Sequence, residues 1–272
     1  MRIGFIGLGS QGAPMARRIV EAGYDTTLWA RRSATLESFA DTEATVADSP
    51  AELAAASDLV CLCVVDDDDV RQIVTGELGV LAGLAPGGVI AIHSTIAPDT
   101  CRELAGKAAA QGVTVIDAPV SGGGHAAAAG NLLVMVGGEA GTVERCRPVF
   151  STYGDPVVHL GPLGSGQVTK LLNNVVFAAN LGIVVDAFAL GGSLGLDPER
   201  LGEVIAKGSA NSYALGAIAA SGGTIDAIAS LAGTLLQKDA RLFAGLAGDA
   251  GAESTAVLAA ADSTLEAMGH PR

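Results

Sequence analysis

The chain opens M-R-I-G-F-I-G-L-G-S-Q-G, a short apolar stretch that runs straight into Gly7, Gly9 and Gly12. A strand, a glycine turn and a helix in that order leave few architectures open, because the turn serves the packing of both neighbours. Gly7 permits the tight turn, Gly9 lets a pyrophosphate approach the backbone, and Gly12 lets the helix lie close on the sheet. The helix N-terminus then offers oriented N–H donors to negative charge. Leu8, Ser10 and Gln11 complete this turn. Residues 7–12 are therefore expected to hold a dinucleotide.

The following segments repeat the strand–helix alternation. Strands are predicted at residues 2–6, 26–30, 59–65, 89–93, 113–117, 132–136 and 157–160, with a further small strand between the second and third of these. Helices are predicted from the glycine turn to about 22, at 36–39, at 53–56, from the acidic run 66–69 to about 74, and from Pro98 to about 111. In the acidic run, carboxylates are expected to meet the free N–H groups of a helix start. Gly161-Pro162 marks a boundary, after which the strand signal ends. Helices are predicted at 167–194, 198–207, 225–243 and 253–268. The fold class expected is an α/β Rossmann domain (1–162) followed by an all-helical substrate and oligomerisation domain (163–272), joined by a long interdomain helix. With 4% aromatic residues, the cores must be built from Ala, Val, Leu and Ile.

A formal net charge of -13 argues against nucleic acid and anionic lipid as partners, while leaving room for a small anion at a local positive site. The cysteines Cys61, Cys63, Cys101 and Cys146 form no zinc-like spacing. Cys61 and Cys63 are expected to face one layer as buried thiols. Such usage suits a reducing compartment, and a cytoplasmic location is expected. Residues 168–190 are apolar enough to raise a membrane question. Lys170, Asn173, Asn174, Asn180 and Asp186 would be costly in hydrocarbon, so a buried interdomain helix is expected and no membrane partner. His93 and His159 are read as structural and His125 as a possible influence on substrate shape. No metal is expected.

The second strand ends in W-A-R-R-S. An acidic residue often sits here to bind a free ribose hydroxyl, and none is present. Arg31 and Arg32 offer donor forks suited to phosphate, and Ser33 adds a hydroxyl. NADP(H) is therefore the preferred cofactor, with NAD(H) possible. Arg31 is favoured of the pair, because strand alternation would point the two arginines apart. Downstream, G-P-L-G-S-G-Q-V-T-K-L-L-N-N at 161–174 places Lys170 and Asn174 on one helix face. Between the clusters, D-A-P-V-S-G-G-G at 117–124 brings the Ser121 hydroxyl and the backbone N–H groups of Gly122 and Gly123, a set able to hold a carboxylate.

In this order, G-L-G-S-Q-G-A-P-M at 7–15, D-A-P-V-S-G-G at 117–123, G-S-G-Q-V-T-K-L-L-N-N at 164–174 and K-D at 238–239 resemble the β-hydroxyacid dehydrogenase family. That family includes 3-hydroxyisobutyrate dehydrogenase, tartronate semialdehyde reductase and glyoxylate/succinic semialdehyde reductases. The resemblance runs over nearly the whole chain and implies an active cleft between the two domains. It implies Lys170 as the catalytic lysine, Ser121, Gly122 and Gly123 as the substrate-carboxylate loop, and Asn174 as the amide that orients substrate. It also implies Thr95 near the nicotinamide, Lys238 toward the cofactor cleft and substrate, and Asp239 as a structural partner. Gln11 stands where the family's first motif usually has Met. Ala126 and Asn131 replace a typical glycine and threonine, and the tail ends in M-G-H-P-R. The activity implied is reversible reduction of a small aldehyde acid, with Lys170 exchanging the proton and a homodimer or homotetramer as the assembly. An imine reductase, or a nucleotide-binding structural or sensing protein without turnover, are the alternatives. The substrate itself is not specified by these residues.

Overall fold

The computed structural model describes residues 1–252 and 255–272. Two compact units divide the chain, Met1–Lys170 and Leu171–Arg272. The first unit holds β1 (Ile3–Ile6), α1 (Gly12–Glu21), β2 (Thr26–Trp29), β3 (Thr45–Val46), α2 (Pro50–Ala55), β4 (Leu59–Leu62), α3 (Asp67–Thr75), α4 (Val80–Gly83) and β5 (Val89–Ile92). It continues with α5 (Pro98–Ala109), β6 (Thr114–Asp117), β7 (Val120–Ser121), α6 (Gly123–Ala129), β8 (Leu132–Gly137), α7 (Ala140–Phe150) and β9 (Gly154–Gly161). Helix α8 (Ser165–Ser193) carries the chain out of the first unit. The second unit adds α9 (Pro198–Lys207), α10 (Tyr213–Ala220), α11 (Asp226–Asp249) and α12 (Ala256–Ala267).

Strands β1, β4 and β5 are short apolar runs with every residue buried, as parallel strands covered on both faces must be. The sheet order β3-β2-β1-β4-β5-β6 is parallel throughout and is the doubly wound order of a dinucleotide-binding domain. Beyond β6 the sheet continues through β8, which pairs antiparallel with β6 and β7 and parallel with β9. Strand periodicity sorts the core into two layers. Ile3, Phe5, Leu59, Cys61, Val89 and Ala91 pack on one face. Ile6, Val60, Leu62, Ile90 and Ile92 pack on the other. Cys63 is packed against the layer that contains Cys61, as its spacing predicts.

The acidic run caps a helix: the Asp66 side chain accepts the Asp69 backbone N–H at 2.9 Å at the start of α3. The sequence reading misses β7, α4, α6, α7 and α10. Strand β7 has two residues, α4 only four, and α6 is a glycine–alanine stretch with no apolar stripe. Helix α7 carries Pro148 inside it, and α10 (YALGAIAA) is apolar nearly all round, so neither shows a helical period. Strand β4 stops at Leu62 because the next residues turn toward the α3 cap. The last helix was expected to start at Glu253, which with Ser254 lies outside the described residues; α12 begins at Ala256 with Thr255 as its cap.

In the second unit, α8 residues Val175, Ala178 and Leu181 pack with Leu215 and Ile218 of α10, Leu236 and Ala240 of α11, and Leu258, Ala261 and Leu265 of α12. Helix α8 is long and apolar enough to cross a membrane, with mean hydropathy 1.9 in its most apolar window, yet only 33% of that window is buried. The helix expected to be buried is thus buried along part of its surface. Val175, Ala178, Ala179, Leu181 and Val184 form the packed stripe, while Leu172, Val176, Ile183 and Leu190 stay exposed.

His93 is a buried structural link in the first unit. Its Nδ1 lies 2.7 Å from the Ala118 carbonyl and its Nε2 3.1 Å from the Tyr153 hydroxyl. A carbonyl only accepts, so Nδ1 carries the proton and Tyr153 donates to Nε2. Burial holds the imidazole pKa down to about 4. Tyr153→Phe removes the donor from a buried acceptor and is expected to cost about 1–3 kcal/mol of stability, read as a lower urea midpoint with an unchanged slope.

Candidate active site

The glycine turn is built by close approach. Gly7 has φ +98, and a Cβ there would lie 2.2 Å from the Cys63 carbonyl oxygen just past β4. A Cβ on Gly12 would lie 1.9 Å from the Gly7 carbonyl oxygen, so a side chain at either position would displace α1 from the sheet. Gly9 differs: it is exposed, and a Cβ there would meet nothing within 4 Å. That open space continues into a cavity of about 310 Å³ lined by Gly7, Leu8, Gly9, Trp29, Arg31 and Arg32 among others. A lining that combines an open glycine turn with two arginines suits the negatively charged phosphates of a dinucleotide.

Both arginines line this cavity, where alternation predicted divergence. Strand β2 stops at Trp29, so its two-residue period no longer governs positions 31 and 32. Arg32 is instead the extended residue that caps the short turn Ser33–Thr35. Ser33 is exposed, and Thr35 is the residue of that turn in the lining. Ser10 is exposed and Gln11 half-buried at the start of α1. The sequence reading missed Asp69, which also lines the cavity and accepts a hydrogen bond from Arg31 Nη2 at 2.5 Å.

The second cluster of site residues is organised by Asp117, the last residue of β6, which is fully buried. Its Oδ1 accepts the Gly164 N–H at 2.6 Å and its Oδ2 the Gln167 N–H at 2.7 Å. A carboxylate thus satisfies donors in the first turn of α8 that the helix cannot satisfy itself. Two glycines make room for it. A Cβ on Gly137 would lie 2.4 Å from Asp117 Oδ1, and one on Gly166 2.3 Å from the Met135 carbonyl oxygen and 2.8 Å from Asp117 Oδ2. Burial pushes the Asp117 carboxyl up to about 6, against the opposing pull of its backbone N–H partners.

Gln167 adds a second link. Its Oε1 accepts the Ile96 N–H at 3.1 Å and its Nε2 donates to the Ser94 carbonyl at 2.8 Å. One amide therefore grips the backbone on both sides of Thr95. The Ser94 hydroxyl in turn accepts the Val64 N–H at 2.8 Å, beside the same cavity. Lys170 follows Gln167 by three residues, about one helical turn, and is only 9% exposed.

Ser121 ends β7, paired in register with Leu133 of β8. Gly122 and Gly123 follow with φ +130 and +72, both exposed. A Cβ on Gly124 would lie 2.4 Å from the Ser10 carbonyl oxygen, so this loop packs directly on the glycine turn. His125 is exposed, while His159 Nε2 lies 2.9 Å from the Gly138 carbonyl and 3.0 Å from that of Gly161. Burial pushes the Cys63 thiol up to about 12 and that of Cys146 to about 11, which makes both poor nucleophiles at neutral pH.

Within the second unit, Asn174 Nδ2 donates to Asp239 Oδ2 at 2.6 Å and Lys238 Nζ to Asp239 Oδ1 at 2.7 Å. Asp239 is 3% exposed, so its charge is neutralised by Lys238 while it fixes the Asn174 amide. Asn173 donates to Asn174 Oδ1 at 3.1 Å.

The doubly wound sheet, its glycine turn and the helical second unit define an NAD(P)-binding oxidoreductase. Residues 2–161 match the family described as the NAD-binding domain of 6-phosphogluconate dehydrogenase, and residues 164–271 match the one described as NAD-binding of NADP-dependent 3-hydroxyisobutyrate dehydrogenase. The chain is 37% identical to 3-hydroxyisobutyrate dehydrogenase of Pseudomonas aeruginosa over 78% of its length and 72% of that protein's. It is 36% identical to the NAD-dependent L-serine dehydrogenase of the same organism, over 79% and 72%. The solved structure of Mycobacterium tuberculosis 3-hydroxyisobutyrate dehydrogenase with L-serine superposes with a TM-score of 0.86 at 31% identity, covering 99% of this chain and 95% of that one. The chain belongs to the 3-hydroxyisobutyrate dehydrogenase family of β-hydroxyacid dehydrogenases.

The raised Asp117 pKa gives a signed expectation. Between its ordinary value of 3.8 and about 6, the native chain holds this proton more readily than the unfolded chain. Its contribution to stability therefore falls as pH rises through that window. In paired denaturation series from pH 4 to 7.5, the difference between wild type and Asp117→Asn is expected to carry this slope, and the variant is expected to lack it.

Proposed function

We propose that this chain is an NADPH-dependent enzyme that reversibly interconverts a small aldehyde acid and its hydroxy acid, with Lys170 as the general acid and base. The observation that carries the reading is the Gln167 clamp. One side chain grips the backbone flanking Thr95, and Lys170 stands one turn further along the same helix. A proton donor is thereby tied to the segment that we read as lying beside the nicotinamide.

When bound, the cofactor supplies or accepts the hydride. The residues of the chain do the rest. Lys170 donates a proton to the oxygen on which negative charge develops during reduction, and takes it back during oxidation. Ser121 and the N–H groups of Gly122 and Gly123 hold the substrate carboxylate, which sets the distance to the reacting carbon. Asn174 orients the substrate, with its amide fixed by Asp239. Lys238 neutralises that carboxylate and serves both substrate and cofactor. Gly7, Leu8, Gly9, Ser10, Gln11 and Gly12 receive the pyrophosphate, and Thr95 borders the nicotinamide.

The cofactor preference rests on Arg31 and Arg32 in the cavity lining and on the absence of an acidic residue at the end of β2. NADH is expected to be accepted more weakly. We assign residues 1–162 to the cofactor domain and 163–272 to the substrate and oligomerisation domain. The exposed Leu172, Val176, Ile183 and Leu190 of α8 support a homodimer or homotetramer in which a second copy covers them. The free thiols, three of the four buried, suit a cytoplasmic location.

Lys170→Ala is expected to lower kcat by about 10²–10⁴-fold while NADPH still binds, measured by stopped-flow turnover and by titration of the cofactor. Unchanged turnover would remove Lys170 from the chemistry. Arg31→Ala is expected to raise the KM for NADPH about tenfold or more, the size of one hydrogen bond to a charged group, with the KM for NADH changing much less. A panel of aldehyde acids and hydroxy acids against both cofactors reads this in the same assay.

A further inference from the structure

Four consecutive carboxylates, Asp66, Asp67, Asp68 and Asp69, open α3, and three of them have their own tasks. Asp66 caps the helix. Asp67 accepts from the Ala97 N–H at 3.0 Å and from the Thr100 hydroxyl at 2.5 Å. Asp68 pairs with Arg71 at 3.2 Å and is otherwise exposed. Among the described residues, Asp69 is the one carboxylate that lines the cavity proposed for the cofactor. Its position is set from both ends, since its own N–H is held by the Asp66 cap and its Oδ1 by Arg31.

Arg31 is the side chain that the proposed function assigns to the cofactor's 2′-phosphate, and the inference rests on that reading. We infer that Asp69 is a specificity-determining residue: its carboxylate competes with the 2′-phosphate for Arg31 and so sets how strongly the chain distinguishes NADPH from NADH. The Arg31 side chain is 64% exposed and that of Asp69 21%, so the pair stands at the mouth of the cavity. An ion pair this exposed is cheap to separate, and a phosphate can draw Arg31 away from it. Doing so leaves Asp69 a bare negative charge close to a second anion, which opposes binding of the phosphorylated ribose in particular. The unphosphorylated ribose has no claim on Arg31 and leaves the pair intact. The consequence is a narrower preference for NADPH than two arginines alone would produce.

The test measures binding without turnover. Isothermal titration of 2′,5′-ADP and of 5′-AMP is run on wild type, Asp69→Asn, Arg31→Ala, the double variant and Asp68→Asn. Quenching of Trp29, the chain's single tryptophan, follows the same titrations from within the cavity. Asp69→Asn is expected to tighten 2′,5′-ADP by about three- to tenfold and to move 5′-AMP by less than twofold. The gain is expected to be smaller in the double variant relative to Arg31→Ala, because there is then no competition for Arg31 to relieve, only the repulsion. Asp68→Asn is expected to change neither ligand by more than twofold. If Asp69→Asn leaves 2′,5′-ADP unchanged or weakens it while Arg31→Ala still weakens it, the inference fails and the NADPH reading stands. If Asp68→Asn tightens 2′,5′-ADP as much as Asp69→Asn does, net charge is the cause and the inference also fails. If Arg31→Ala leaves 2′,5′-ADP binding unaltered, the NADPH reading itself fails, and the inference falls with it.

Discussion

The buried carboxylate of Asp117 is the constraint from which the segments around Thr95 and Lys170 are built. It ends a central strand and at once satisfies the opening N–H groups of α8, so the end of the parallel sheet and the start of the long helix share one anion. A buried charge is tolerated only when its lone pairs are used, and here each oxygen has a backbone donor. Gly137 and Gly166 are small because any side chain there would occupy the carboxylate's space. The same helix start places Gln167 against the segment around Thr95, and Lys170 then follows from helical geometry.

The cofactor turn rests on the same kind of argument at the other end of the site. Gly7 and Gly12 are glycine because protein atoms press on them, whereas Gly9 faces open space. Of the three, Gly9 alone is free of internal packing duty, which suits the position where a ligand comes closest. The Ser121 to Gly124 loop is then held against that turn by contact with Ser10, so the segments proposed to hold cofactor and substrate carboxylate are neighbours by packing. His93 and Tyr153 are buried and hydrogen-bonded to each other in the layer beneath.

Much of this was legible in the linear order of residues. The glycine spacing, the buried strands around 3–6, 59–62 and 89–92, and the carboxylate cap of α3 are each written within a dozen residues, and each was read correctly. Less legible were α6, α7 and α10, where small, proline-interrupted or uniformly apolar stretches carry no period. The two arginines were expected to diverge because the strand was assumed to reach them; it ends at Trp29, and both enter the cavity. Asp69 was read as part of a solvated helix start, since nothing local tells one aspartate of four from its neighbours.

What the sequence determined by itself was therefore most of what local geometry governs: the glycine turn, the buried strands, the cap of α3 and the membership of a two-domain α/β architecture. What only the tertiary structure decided was which distant groups meet. Asp117 reaches Gly164 and Gln167 across some fifty residues, Gln167 reaches back to Ser94 and Ile96 across about seventy, and Arg31 finds Asp69 across thirty-eight. Such pairings arise from strand order and layer packing, and no residue's immediate neighbours specify them. Local spacing restricts a backbone through sterics and its own hydrogen bonds, whereas partners far apart in sequence are chosen only when the sheet closes over its core.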